Sequence, residues 1–216
     1  MVKNMQTSPK AYIFDMDGTL IDSVYALDQS TRAFLDPLGI EYPDNIVEIV
    51  TPLGYAGAAE YIQSLGVNIP VDEITTLMKE GMLKEYVESI PAKPFATELL
   101  QKLKKEGHRL CILSASPHFL IDPCVKRLDI EKYFDFIWST DDFALKKSDE
   151  KIYTEAAKLL GFVEGNCIFV DDNLTNIKTA KAAGLKTVAV YDLASASSAD
   201  ELKKVADRYI YTFDEF

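Results

Sequence analysis

Cysteine is scarce in this chain. Three residues in 216, Cys111, Cys124 and Cys167, are widely spaced with no CxxC pair. An odd set of that kind supports neither a disulfide framework nor a zinc site. Cys111 and Cys167 lie in apolar runs that suit buried, reduced thiols. Positive charge is also short: 23 Lys and Arg face 34 Asp and Glu, for a formal net charge of −11. No basic stripe suited to nucleic acid is present, and the charge balance does not favour an anionic membrane surface. No apolar stretch is long enough to span a bilayer, and residues 1–10 lack the apolar h-region of a signal peptide. These absences predict a cytoplasmic protein whose partners are neither a nucleic acid polymer nor a membrane, with residues 1–9 as a flexible tail.

What the chain does have is the composition of a globular domain. Its hydrophobic fraction is 48% and its charged fraction 26%, enough to bury a sizeable core without covalent staples. Short apolar runs rich in β-branched and aromatic residues predict strands at 11–15, 109–114, 136–140 and 167–171, with further strands at 187–191 and 208–213. Helical periodicity predicts helices at 95–106, 117–128, 149–160 and 174–183, with Gly107, Gly161 and Gly184 as stops and Ser116 as a possible N-cap. Strand alternating with helix implies an α/β fold with a Rossmann-like, doubly wound parallel sheet. Residues 22–90 break the rhythm. They carry helical patterns at 25–38, 56–65 and 71–89 but no convincing strand, so they are expected to form an inserted α-helical cap. Residues 10–21 and 91–216 then form the catalytic core.

In an open parallel sheet, ligands gather at the carboxyl ends of the strands. The first strand runs into Asp15-Met16-Asp17-Gly18, two acids around one residue followed by a glycine that permits a tight turn. The second ends at Ser114, followed by Ala115 and Ser116 ahead of a helix, offering a hydroxyl and free N–H groups to an anion. Lys146 and Lys147 follow the third strand, and the fourth ends in Asp171-Asp172. Adjacent carboxylates call for a cation, and a hard divalent ion such as Mg2+ takes oxygen ligands of this kind. Each piece also has a plain structural reading, as a turn, a cap or a solvated lysine. Together, four strand ends deliver to one rim the parts of a phosphoryl-transfer site.

These segments resemble the haloacid dehalogenase superfamily, in its phosphatase branch with a small helical cap, the branch of phosphoglycolate phosphatases and β-phosphoglucomutases. The matching motifs are DMDGTL at 15–20, ILS at 112–114, KSDEKIY at 147–153 and FVDDNLTNI at 169–177. The third has Ser and Glu where the family's KPxPxIF-like segment has prolines. The resemblance implies that Asp15 attacks phosphorus to form an aspartyl-phosphate and that Asp17 is the acid and base. It implies that Ser114, Ala115, Gly18 and Lys147 contact the phosphoryl group. Asp15, the Asp17 carbonyl and Asp172 would hold magnesium, with Asp171 and Asn176 in support. A proton donor such as Asp17 suits an ester oxygen rather than a carbon–halogen bond. Within the insert, the loop near Pro52 and Tyr55 is expected to face the site.

The implied activity is magnesium-dependent hydrolysis of a small phosphorylated metabolite. Other readings are a sugar phosphomutase-like phosphotransferase, a phosphonate hydrolase using Lys79 or Lys84, and a non-catalytic binder of phosphorylated ligands. The first of these lacks the expected His at 25–30 and any Arg between 33 and 92. His118 could contact substrate or occupy a helix's first turn, and His108 is expected to face solvent.

Overall fold

The computed structural model describes residues 10–216. Six parallel strands form one sheet: β1 (Ala11–Phe14), β2 (Arg109–Ser114), β3 (Phe136–Ser139), β4 (Cys167–Asp171), β5 (Lys186–Val190) and β6 (Arg208–Ile210). Their spatial order is β3-β2-β1-β4-β5-β6. This is the doubly wound order, in which the chain winds outward in both directions from a central strand and leaves a crevice at the switch point. Here the switch lies between β1 and β4, which pair in register from Ala11 opposite Cys167 to Phe14 opposite Val170. Asp15 and Asp171 therefore emerge side by side.

The central strands are apolar along their length because both faces of a parallel sheet are covered. One core contains Ala11, Ile13, Cys111, Leu113, Tyr153, Phe169 and Ile177. The helices that cover the sheet have clear boundaries. Those of the sheet unit are named in order after the four of the inserted stretch: α5 (Ala96–Lys105), α6 (His118–Arg127), α7 (Glu150–Leu160), α8 (Leu174–Ala182) and α9 (Ala199–Val205). Asp149 caps α7 by accepting from Lys151 N–H at 2.9 Å, and Gly161 closes it at φ 81°. Asn173 caps α8 through Thr175 and Asn176 N–H. Among the described residues, no helix is long and apolar enough to cross a membrane.

The chain divides into two compact units: residues up to Asp22 with Pro91–Phe216, and Ser23–Ile90. The second unit is helical, with α1 (Val24–Leu35), α2 (Ile46–Val50), α3 (Gly54–Ser64) and α4 (Val71–Glu88) around a core that includes Leu35, Ile46, Ile62 and Ile74. In the first unit, the chain segments on either side of the insert are tied together. Ile21 and Ala92 form an antiparallel bridge, Asp22 N–H donates to Pro91 O at 3.0 Å, and Lys93 N–H to Leu20 O at 2.9 Å.

The sequence expectations differ from the structure in several local respects. α2 goes unread because five residues barely exceed one helical turn. β6 stops at Ile210, since Thr212 and Glu215 form a capping box that turns the chain into a short 3-10 helix. His108 is buried rather than solvent-facing: its Nδ1 accepts from Lys10 N–H at 3.1 Å beside the Tyr12 ring, and burial lowers its pKa.

Candidate active site

β1 enters the switch-point crevice and its last hydrogen bond places Asp15, whose N–H donates to Val170 O at 2.9 Å. The Asp15 side chain is buried and paired with the buried ammonium of Lys147. The same ammonium reaches Asp171 Oδ2 at 3.1 Å. Asp15, Asp171 and Asp172 each offer an oxygen within 4.8 Å of the others. Three carboxylates facing one ammonium leave two negative charges if all are ionised.

Burial sets the proton affinities of this cluster. Desolvation pushes Asp15 well above the ordinary carboxylate range; Lys147 opposes it, while Asp171, Asp172 and Asp17 reinforce it. Asp172 is raised to about 7, first by burial and then by Asp171 and Asp192, against the Thr19 hydrogen bond and Lys93. Burial alone would lower Lys147, but Asp15 and Asp171 outweigh it and raise the lysine above its usual value. Lys147 is therefore the fixed cation, and the acids are short of a second one. An all-oxygen donor set in need of two positive charges fits a magnesium ion.

Neighbouring groups fix each acid. Asp171 is fully buried and accepts from Lys147, from Asn173 N–H at 2.7 Å and from the Asn176 amide at 3.0 Å. Asp172 Oδ1 accepts from the Thr19 hydroxyl at 3.1 Å. Gly18 turns at φ +73°, and a Cβ there would sit 2.8 Å from the same oxygen. Asp17, on the turn after β1, accepts at Oδ2 from the Ser116 hydroxyl at 2.7 Å and the Ser114 hydroxyl at 3.4 Å.

Of the residues named from sequence, Asp15, Lys147, Asp171 and Asn176 share one bonded cluster; Asp172 lies beside its acids, where a Cβ on Gly18 would meet it, and Ser114 joins Asp17. Ala115 is exposed on the loop after β2. Lys146 is exposed and lines a shallow cavity with Thr140, Asp141 and Ser148 that includes none of these acids. His118 binds two carboxylates, Asp122 at 3.0 Å and Asp142 at 2.9 Å, which together raise its pKa. Ser116 is not the cap of α6. Pro117 takes that position in an extended conformation, and the Ser116 hydroxyl donates to Asp17. In the helical unit, Lys79 and Lys84 are exposed, and the Lys79 ammonium lies 5.7 Å from the Tyr55 ring centroid.

Sequence reasoning missed three supports. Thr19 lay inside the first motif without a role. Tyr153 reads as one more apolar-face aromatic, yet its buried hydroxyl donates to Lys147 O at 2.8 Å and lies 3.3 Å from Asn176 O. Lys93 pairs with buried Asp192 at 2.7 Å and donates to Tyr191 O at 2.8 Å; neither residue falls in a motif.

A parallel sheet in this order, with an acid pair after β1 whose first member pairs with a lysine and a second acid pair at the end of β4, defines a class of hydrolase. The haloacid dehalogenase-like hydrolase model matches residues 9–184, and the chain belongs to that family. It is 29% identical over 184 residues to the phosphoglycolate phosphatase of Aquifex aeolicus, covering 82% of this chain and 83% of that one. It is 27% identical over 189 residues to the phosphoglycolate phosphatase of Pseudomonas fluorescens (strain Pf0-1), covering 84% and 69%. CbbY from Rhodobacter sphaeroides, solved in complex with phosphate, shares the fold at a TM-score of 0.76 and 21% identity, with 96% of each chain covered.

Proposed function

We propose that this protein is a magnesium-dependent phosphatase that hydrolyses a small phosphorylated metabolite through an aspartyl-phosphate on Asp15. The observation that carries this reading is the buried Asp15–Lys147–Asp171 cluster with Asp172 alongside and Asp17 held at its edge. Asp15 supplies the nucleophilic oxygen; as its bond to phosphorus forms, the ester P–O bond breaks and Asp17 gives its proton to the leaving oxygen. Asp17, now a carboxylate, takes a proton from water, whose oxygen attacks phosphorus. The Asp15–phosphorus bond then breaks and inorganic phosphate leaves. Splitting one displacement into two is the usual gain of a covalent nucleophile.

Asp15 must be ionised to attack, and burial opposes that; Lys147 favours the charged form. A magnesium ion, held by the carboxylates of Asp15 and Asp172 and the Asp17 carbonyl, would complete the neutralisation and draw charge from the phosphoryl oxygens. Lys147, the Ser114 hydroxyl, and the backbone at Gly18 and Ala115 are proposed to hold those oxygens. Asp171 and Asn176 hold Lys147 and the β4 turn in place. The helical unit leaves the chain after the first acid pair and returns before β2, a position from which it is proposed to select the substrate. A cytoplasmic setting goes with this reading.

Names of relatives make 2-phosphoglycolate the first compound to assay. Phosphate release should be measured across glycolate, sugar and nucleotide phosphates, with magnesium and with chelator. Asp15→Asn is expected to cost at least about a thousandfold in kcat. Undiminished turnover in that variant, or in chelator, would refute the mechanism. Conversion of a hexose 1-phosphate to its 6-phosphate faster than phosphate release would favour a transferase instead.

A further inference from the structure

We propose that Ser116 is the positioning residue for the proton-donating carboxyl of Asp17; this rests on the reading of Asp17 as the acid. The two residues are 99 positions apart, yet the Ser116 hydroxyl donates to Asp17 Oδ2 at 2.7 Å. The Ser114 hydroxyl reaches the same oxygen at only 3.4 Å, the long end of the range. Ser114 is itself oriented by Ser116, whose N–H donates to Ser114 Oγ at 3.0 Å. Ser116 therefore acts on Asp17 twice, through its own hydroxyl and by fixing its neighbour's.

Helix α6 begins at His118 with Pro117 as its cap. An Asp χ2 torsion is broad and roughly two-fold, so a carboxyl on a turn can rotate away from a leaving oxygen. A short bond to one carboxyl oxygen, anchored on the end of β2, selects the rotation and so aims the other oxygen. Ser116 does this without touching the phosphoryl group.

A residue that aims the proton donor matters in proportion to how much the leaving group needs a proton. The test is kcat/KM, which reports the first displacement, for phenyl phosphates of graded leaving-group basicity and for glycerol phosphate. Wild type, Ser116→Ala, Ser116→Thr, Ser116→Cys and Asp17→Asn are compared with magnesium present. General acids contribute about 10²–10⁴-fold, so Ser116→Ala should lose about 10–100-fold with glycerol phosphate and under about threefold with p-nitrophenyl phosphate. Ser116→Thr, which keeps the hydroxyl, should recover most of the loss, and Ser116→Cys, a weak donor, should resemble Ala. Asp17→Asn should show the same leaving-group pattern, larger in size. An equal loss for all leaving groups, or none, in Ser116→Ala beside the expected pattern in Asp17→Asn would overturn the role of Ser116 alone. No leaving-group dependence in Asp17→Asn would overturn the acid assignment, and the Ser116 proposal with it.

Discussion

Gly18 offers a way to perturb the acids proposed to hold magnesium without touching their charge. Its φ of +73° lies in the left-handed region, and a Cβ built there meets Asp172 Oδ1 at 2.8 Å, Cγ at 2.9 Å and Oδ2 at 3.0 Å. Ordinary contacts start near 3.5 Å, so in Gly18→Ala the carboxylate must move by roughly 0.7 Å at its nearest oxygen. It cannot move freely, being tied to the Thr19 hydroxyl at 3.1 Å. Left-handed strain adds about 1–2 kcal/mol, or roughly 2–8 °C in Tm for a chain of this size. Disturbing the support of a metal ligand typically costs about 10–100-fold in affinity. The expected result is a modest fall in Tm with a weakening of Mg2+ binding by that factor, read by titration calorimetry. Gly161 is the control: its φ is +81°, but a Cβ there meets nothing within 4 Å. Gly161→Ala should lose Tm and keep its magnesium affinity. If Gly18→Ala binds Mg2+ within about twofold of wild type while losing Tm like the control, Asp172 is not where the metal is held and the reasoning fails.

Two further predictions concern the supports of the cluster. Tyr153→Phe removes the buried donor to Lys147 O; it should cost about 1–3 kcal/mol in urea unfolding and lower kcat more than it raises KM, and unchanged stability would show that bond to be idle. Without metal, Asp172 keeps its proton up to about 7, whereas an unfolded carboxyl loses it near 4. The folded state therefore binds the extra proton between those values, so this group's share of stability falls as pH rises from about 4 to about 7 and then levels off, by a total on the order of 4 kcal/mol. Asp172→Asn should flatten that decline, and added Mg2+ should offset it in the wild type; urea midpoints at pH 5 and 7.5 that respond to neither would refute the assignment.

The motif acids were legible because local chemistry marks them: a charged residue ending an apolar strand is costly unless it has a partner. The order of strands and helices was legible for the same local reason, periodicity. Partnerships between distant residues were not. Asn176 is named from sequence as a support of the acid site, but the bond its amide makes to Asp171 could not be read there. His108 follows a glycine before a strand, which suggests exposure, yet its ring packs beside Tyr12 and accepts from Lys10. Ser116 stands where a cap belongs, and the extended backbone of Pro117 moved the cap one residue on.

By itself, then, the sequence determined which strands end in acids, which residue types a phosphoryl-transfer site would have, and that the chain is α/β. Those features depend on neighbours in the chain, and the chain states them directly. The strand order put β1 against β4, and only that placement set Asp15, Lys147 and Asp171 in one buried ion cluster. Only folding could give the Ser116 hydroxyl to Asp17, Thr19 to Asp172 and Tyr153 to the Lys147 carbonyl. Desolvation and hydrogen bonding act through space, and the partners they join here come from different segments of the chain.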